Sequence, residues 1–360
     1  LKYLWIKIMA YSSIAKPGDH FNTVLYTANA SGQSITGVGF QPDWLWIKSR
    51  SAAYNWAVRD VLRGSLVNLR LNSTNADQSQ SDSVTSFDSD GFTLGADPNS
   101  FVNQNGETYA SWSWKANGSS TTTPSGGTIT TTASVNTPAG FSVFTYTGNG
   151  SAAHIAHGLG VAPTFVAIKG RSNVDNWFVK HPSLASNEYV YFNSDGAKAS
   201  GSNVWSNTNP DATKIYIGTD AGVNGSGETY VCYAFAEKKG YSKFGGYTGN
   251  GNASGTYIYT GFRPAWVLVK RTNSAGNNWQ LHDIKRTQYT QPINHRISPT
   301  VSLVEQTGDT LGFEFFSNGF RPNNTNADYN NDGSTYIYMA FAEHPFVAND
   351  SGTAVPVTAR

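Results

Sequence analysis

Cysteine is almost missing. Cys232 is the only one among 360 residues, which excludes an internal disulfide framework and a cysteine-based zinc site. Charge is scarce as well. Charged residues make up 14% and the formal net charge is +1, without the clustered Lys and Arg that a nucleic-acid-binding face needs. No apolar run approaches the roughly 20 residues that a membrane-spanning helix takes. Long stretches of Ala, Leu, Glu and Lys with a 3.6-residue period are also absent, so helices are expected to be few. What is abundant points to strands. There are 36 glycines, and aromatics reach 13%, beside many Asn, Ser and Thr. Gly and Asn tolerate positive φ in tight turns, and aromatics suit half-buried pleated surfaces.

One pattern is written three times. Tyr-Thr-Gly-Asn-Gly or a relative precedes Gly-Phe-x-Pro-x-Trp or a relative, then an apolar run, a Lys, an Asn-Trp pair and a late Thr-Tyr that opens an aromatic strand. The landmarks are Tyr26, Pro42, Lys48, Trp56 and Tyr109; Tyr146, Pro163, Lys169, Trp177 and Tyr230; and Tyr247, Pro264, Lys270, Trp279 and Tyr336. Pro to Lys is 6 residues in each copy, Lys to Trp is 8, 8 and 9, and Trp to Tyr is 53, 53 and 57. Five landmarks held in step mark a tandem repeat of about 100 residues.

The chain therefore divides into a leader or assembly segment (1–20), a first module (21–116), a Gly/Ser/Thr linker (117–137), a second module (138–237), a third module (238–347) and a tail (348–360). The linker reads as a hinge, with Thr-Ile-Thr-Thr-Thr able to pair as an edge strand. The direct joint between modules two and three predicts a rigid pair, with module one able to swing. Lys2 and Lys7 interrupt the apolar start. Met9-Ala10-Tyr11 reads as an ordinary translation start, leaving residues 1–8 as an upstream extension or as an extra strand that docks on a neighbouring subunit. The runs 44–48, 165–169 and 266–270 each start two residues after a Pro and are apolar on both faces, so each predicts a central, doubly covered strand whose terminal Lys leaves the core. Tyr109 to Trp114 alternates aromatic and small residues, as a strand with one buried face does. Asp90-Gly91 and Asn318-Gly319 read as positive-φ pairs of hairpin turns. Together these features predict an all-β fold of three tandem β-sandwich modules, jelly-roll or lectin-like.

Three phrases carry a family resemblance. They are Ile35 to Arg50 (Ile-Thr-Gly-Val-Gly-Phe-Gln-Pro-Asp-Trp-Leu-Trp-Ile-Lys-Ser-Arg), Ser86 to Gly95 (Ser-Phe-Asp-Ser-Asp-Gly-Phe-Thr-Leu-Gly) and the ending Ala340 to Val347 (Ala-Phe-Ala-Glu-His-Pro-Phe-Val). With Met9 onward and Phe21 to Tyr26, they resemble a repeat module of tailed bacteriophages that is frequent in marine and freshwater phages. The likeness covers nearly the whole chain. It implies a virion structural or tail-fibre-like protein and transfers no active site.

Catalytic chemistry finds little support in the residues. None of the seven histidines (His20, His154, His157, His181, His282, His295, His344) stands in a metalloprotease or nucleophile-elbow context. His154 and His157 read as a turn-capping pair. His282-Asp283 in module three stands where module one has Arg59-Asp60, which reads as loop surface. Glu107 and Glu228 precede Thr-Tyr, where module three has Ser334, and read as turn carboxylates that accept backbone N–H bonds. Asp88-Ser89-Asp90-Gly91 and Asn330-Asn331-Asp332-Gly333 lack the full calcium-loop spacing. No catalytic residue, metal site or cofactor is expected.

Tryptophans shared between copies must serve folding, so the unshared ones are better candidates for recognition. Trp205 lies in a polar loop peculiar to module two, flanked by Asn203 and Asn207. An exposed ring among amides would suit a sugar, although core packing is the competing reading of Trp205. The function expected is that of a phage fibre subunit binding host surface glycan. Its partners would be itself (a homo-oligomer, a trimer first) and other virion proteins, with no nucleic acid and no membrane insertion. It would be made in the host cytoplasm and carried on the extracellular particle. A capsid decoration or cement protein, or another filament-forming subunit, is the alternative. An enzyme such as a depolymerase is the third reading.

Overall fold

The computed structural model describes residues 12–99, 101–288, 290–308 and 310–345. The readings placed on residues 1–11 and 348–360 lie outside them. Strands dominate, and the sheets are antiparallel throughout. In each repeat the late aromatic strand is the spine of an inner sheet, because both of its faces are apolar enough to bury. Thr108–Trp114 lies between Phe21–Thr27 and Trp44–Ser49, which continues to Ala57–Asp60. Thr229–Phe235 lies between Phe141–Thr147 and Phe165–Gly170, which continues to Phe178–Lys180. Thr335–Pro345 lies between Ser242–Thr248 and Phe262–Arg271, which continues to Gln280–Asp283. The order first, last, second, third is thus repeated in all three segments.

One face of each inner sheet packs under a smaller outer sheet of the same segment. In the first segment Leu45, Ile47 and Tyr109 pack with Ile35, Val84, Phe92 and Leu94. The corresponding clusters hold Ile168, Tyr230 and Cys232 with Ile155 and Ile215 in the second segment, and Val269, Tyr336 and Tyr338 with Ile258, Phe313 and Phe320 in the third. The other face of all three inner sheets enters one shared core. At its centre Trp114, Phe235 and Phe341, which occupy the same position of the repeat, meet with ring centroids 5.6–6.4 Å apart. Each buried aromatic ring removes about 150–250 Å² from water, so this shared seam is the main reason for the three segments to fold together.

The segments also interlock head to tail. The shared Trp donates its indole N–H across a junction in every copy: Trp56 to Ser298 O (3.0 Å), Trp177 to Arg70 O (2.9 Å) and Trp279 to Tyr191 O (2.7 Å). The first segment leans on the third, the second on the first and the third on the second, which closes a ring within one chain. Burial of Asp60 and Arg63, 2.5 Å apart, is compensated by Tyr233 Oη of the second segment, which donates to Asp60 at 2.6 Å, and by Asp77. Asp283 and Arg286 repeat the pair, with Trp112 Nε1 of the first segment donating at 3.1 Å and Glu305 closing on Arg286. At the third junction the equivalent positions hold His181 and Leu184, and Leu184 shares the common core with Met339, which has no donor to give. His181 Nε2 instead meets Tyr338 O at 3.0 Å.

Several expectations change on this evidence. The linker is no free hinge, because Thr131–Asn136 forms the edge strand beside Phe141–Thr147, and Ser134 Oγ ties down Asn117 and Gly118. Module one cannot swing, since Trp44 stacks on Tyr233 at 4.3 Å inside the common core. The leader from residue 12 onward belongs to the body, with Ile14 in that core. Pro264 lies within a strand, at a register shift, rather than before one. The aromatic strand 108–114 is buried on both faces, Ser111 and Ser113 included. The hairpin loops are Ser89-Asp90 and Ser317-Asn318, with neither Asp90 nor Asn318 at positive φ. Gly91 and Gly319 are required for another reason: a Cβ there would strike the carbonyl oxygen of Ile35 or Ile258 on the adjoining strand.

Candidate functional site

The residues singled out for recognition separate in the fold. Trp205 ends the short helix Ser202–Trp205 and is 0% exposed, packed with Phe178, Val204, Ile215 and Val223. The helical turn aims Val204 and Trp205 inward together, so the indole offers no face to a ligand. The Lys180 ammonium covers it from 5.8 Å, with a pKa drawn down to about 8 by burial against the pull of Glu188. Asn203 and Asn207 are exposed. Asn203 Nδ2 donates to Asp220 at 2.7 Å, and Asn207 takes a positive φ of 53°. The three do not converge on one surface.

The remaining polar groups serve mostly as structure. His282 and Asp283 are buried on an inner strand rather than on a loop, and His282 Nε2 lies 3.1 Å from Tyr329 Oη. Burial, then Arg286, holds His282 well below the usual range. His154 sits on a strand against Tyr216, whereas His157 caps a turn by accepting from Leu159 N, so they are not a pair. Glu107 and Glu228 accept from the hydroxyls of Ser51 and Ser172 rather than from backbone N–H groups. Asp90 accepts from Gly37 N and Gly39 N at the turn. Among the described residues, no three His, Cys, Asp or Glu side chains are grouped to hold a metal ion, and no helix is long and apolar enough to cross a membrane. A cavity of about 460 Å³ lies between residues 15–23 and the third segment, lined by Ala265, Ile284 and Glu343. It opens close to both ends of the described chain.

The outer sheets differ most between copies. Register makes their positions comparable: Thr36 and Asp88 both pair with Gly91, and Tyr259 and Phe316 both pair with Gly319. The first outer face carries Ser34, Thr36, Asp88 and Thr93, and these small groups bond mainly to one another, as Thr93 Oγ1 does to Asp88 at 2.7 Å. The second carries His154, Lys214 and Tyr216. There Tyr216 Oη donates to Asp211, whose carboxyl is held below the usual carboxylate range by the Thr213 N–H and then by that hydroxyl.

The third face is aromatic. Tyr257 and Tyr259 are 46% and 56% exposed, and Phe316 lies 5.7 Å from Tyr257 at 55°. Arg321 stands over Phe316 at 5.4 Å and bonds Glu314 at 2.5 Å. Tyr257 Oη donates to Asn318 Oδ1, and burial, then Tyr259, raises its pKa. The sequence reading missed these residues because it looked for unshared tryptophans. The signal was present in Tyr257-Ile258-Tyr259, an outward-inward-outward alternation between turns.

A family model described as "Domain of unknown function (DUF7483)" matches residues 16–345. The chain belongs to that family. The match runs across all three segments, so the family's unit takes in the whole interlocked body rather than one repeat. No curated protein and no solved structure matches the chain.

Proposed function

We propose that this chain is a structural component of a bacteriophage particle. It is a fibre subunit built from three tandem β-sandwich modules, and it holds host surface glycan on its outer faces. The observation that carries this reading is the contrast between inside and outside. Equivalent inward positions keep large apolar residues, as Trp114, Phe235 and Phe341 do, while equivalent outward positions change chemistry from copy to copy. A scaffold under that pattern presents surfaces and turns nothing over. Assembly of several chains would offset weak single-site affinity through avidity.

A capsid decoration subunit is the second reading. It is favoured by the closed ring, because a threefold body complete within one chain can seat on a particle surface without partner copies. Two measurements test the proposal: mass spectrometry with antibody labelling of purified particles, and adhesion of the purified full chain to host cells before and after periodate oxidation of their glycans. The expected result is a labelled tail or head fibre and adhesion lost on oxidation. Labelling over the capsid shell without adhesion would favour decoration, and absence from the particle would sink both readings.

A further inference from the structure

The geometry points to a carbohydrate platform on the outer sheet of the third segment, and we propose that Tyr257, Tyr259 and Phe316 stack neutral pyranose rings there. This assignment rests on the glycan-binding reading and gives it a place. The aromatic residues are not needed for folding of such a sheet. The first segment builds the same strand pairing with Ser34, Thr36 and Asp88 at the matching positions. Exposed aromatic rings cost solvation without adding to the core, so Tyr257 and Tyr259, at 46% and 56% exposure where the first segment has Ser34 and Thr36, call for a ligand.

The chemistry of that ligand follows from what surrounds the rings. Sugars present an apolar C–H face edged by hydroxyls, which matches ring faces flanked by donors and acceptors. Tyr259 Oη and Asn318 Nδ2 have no hydrogen-bond partner among the described residues, and Tyr259 pairs with Gly319, next to Asn318 in the hairpin loop. Arg321 and Glu314 neutralise each other while both side chains stay about one-third exposed, at 35% and 33%. They therefore offer a fork of donors beside a pair of acceptors, suited to vicinal hydroxyls, and they bring no net charge to draw a polyanion. Gly319 lets the Tyr257 ring lie flat across the strand, because a Cβ would meet Tyr257 Oη at 2.8 Å.

The test uses the full chain on a printed array of neutral bacterial polysaccharides and of uronic-acid-rich capsular polysaccharides. Tyr259→Thr and Tyr257→Ser carry the residues found at the matching positions of the first segment, and Tyr259→Phe keeps the ring. Far-UV circular dichroism and the melting midpoint check that each variant folds. The expected result is binding to neutral polysaccharide, a fall in affinity of about tenfold or more for each of the first two variants, in line with loss of a ring stack, and a smaller fall for Tyr259→Phe. Neutral polysaccharide bound equally well by folded Tyr259→Thr and Tyr257→Ser overturns the site and leaves the glycan reading standing. Binding confined to acidic polysaccharide overturns the assignment of a neutral ligand. Adhesion to cells that survives periodate overturns the glycan reading itself.

Discussion

At the scale of single residues, the shared polar landmarks hold the repeat together. Asn103, Asn224 and Asn330 are each 0% exposed, and each ties the same two loops. Asn224, for example, donates to Ser151 O and Gly218 O and accepts from Asn149 N. Lys48, Lys169 and Lys270, which the sequence placed where the strand leaves the core, are fully buried and donate to backbone carbonyls. Lys169 reaches Thr74 O and Lys270 reaches Asp195 O of the preceding segment. Burial, against nearby acids, draws Lys48 down to about 7 and the other two to about 8. Between about pH 8 and 10 the unfolded chain still carries protons that the native lysines have released, so stability is expected to rise with pH across that window. Above about pH 10 the trend reverses, because burial holds Tyr26, Tyr146 and Tyr247 protonated in the native state. Urea midpoints at pH 7, 8, 9 and 10 check this, and because Lys180 is drawn down to about 8 as well, Lys169→Met is expected to remove about a quarter of the slope. A flat or falling profile from pH 8 to 10 would exclude it.

At the scale of elements, the three junctions form a matched set. A buried Asp-Arg pair stands wherever the neighbouring strand offers a donor (Tyr233 or Trp112), and His181 with Leu184 stands where it offers Met339. The acid that completes the Arg partners, Asp77 or Glu305, is replaced at the third junction by Lys198, which turns to Glu188. Leu184→Arg alone would bury a cation without its acids and is expected to cost about 3–5 kcal/mol. Met339→Tyr alone would strand a hydroxyl, at about 1–3 kcal/mol. Combined as Leu184→Arg, Met339→Tyr, His181→Asp and Lys198→Asp, the changes rebuild the first junction's chemistry and are expected to recover most of that loss. Double-mutant cycles by chemical denaturation measure the coupling, and strictly additive losses would refute the matching.

At the scale of the whole molecule, the shared core and the closed ring make the chain one cooperative unit. Trp114 touches Trp44, Trp46, Trp266, Phe235 and Phe341, which come from all three segments. Trp114→Ala is expected to cost about 3–5 kcal/mol and to lower the melting midpoint of the entire chain in a single transition. Calorimetry and tryptophan fluorescence followed together are the check. A first segment that melts separately while the others persist would contradict the shared core.

The sequence by itself determined the all-strand character, the threefold repeat and the doubly buried central strands, because turn residues, spacing and apolar alternation are local properties. It also fixed which positions recur. Only the tertiary structure decided what those positions face. An alternating strand reads the same whether its second side meets solvent, its own outer sheet or two sister segments, so Lys48 and His282 were legible in the chain but not as buried, and for Trp205 core packing stayed one of two readings. The aromatic face stayed hidden for a related reason. Tyr257 and Tyr259 come from the short strand Ile258–Tyr259 and the residue before it, and Phe316, Asn318 and Arg321 from a hairpin about 60 residues further on, and it is pairing across Gly319 that makes them neighbours.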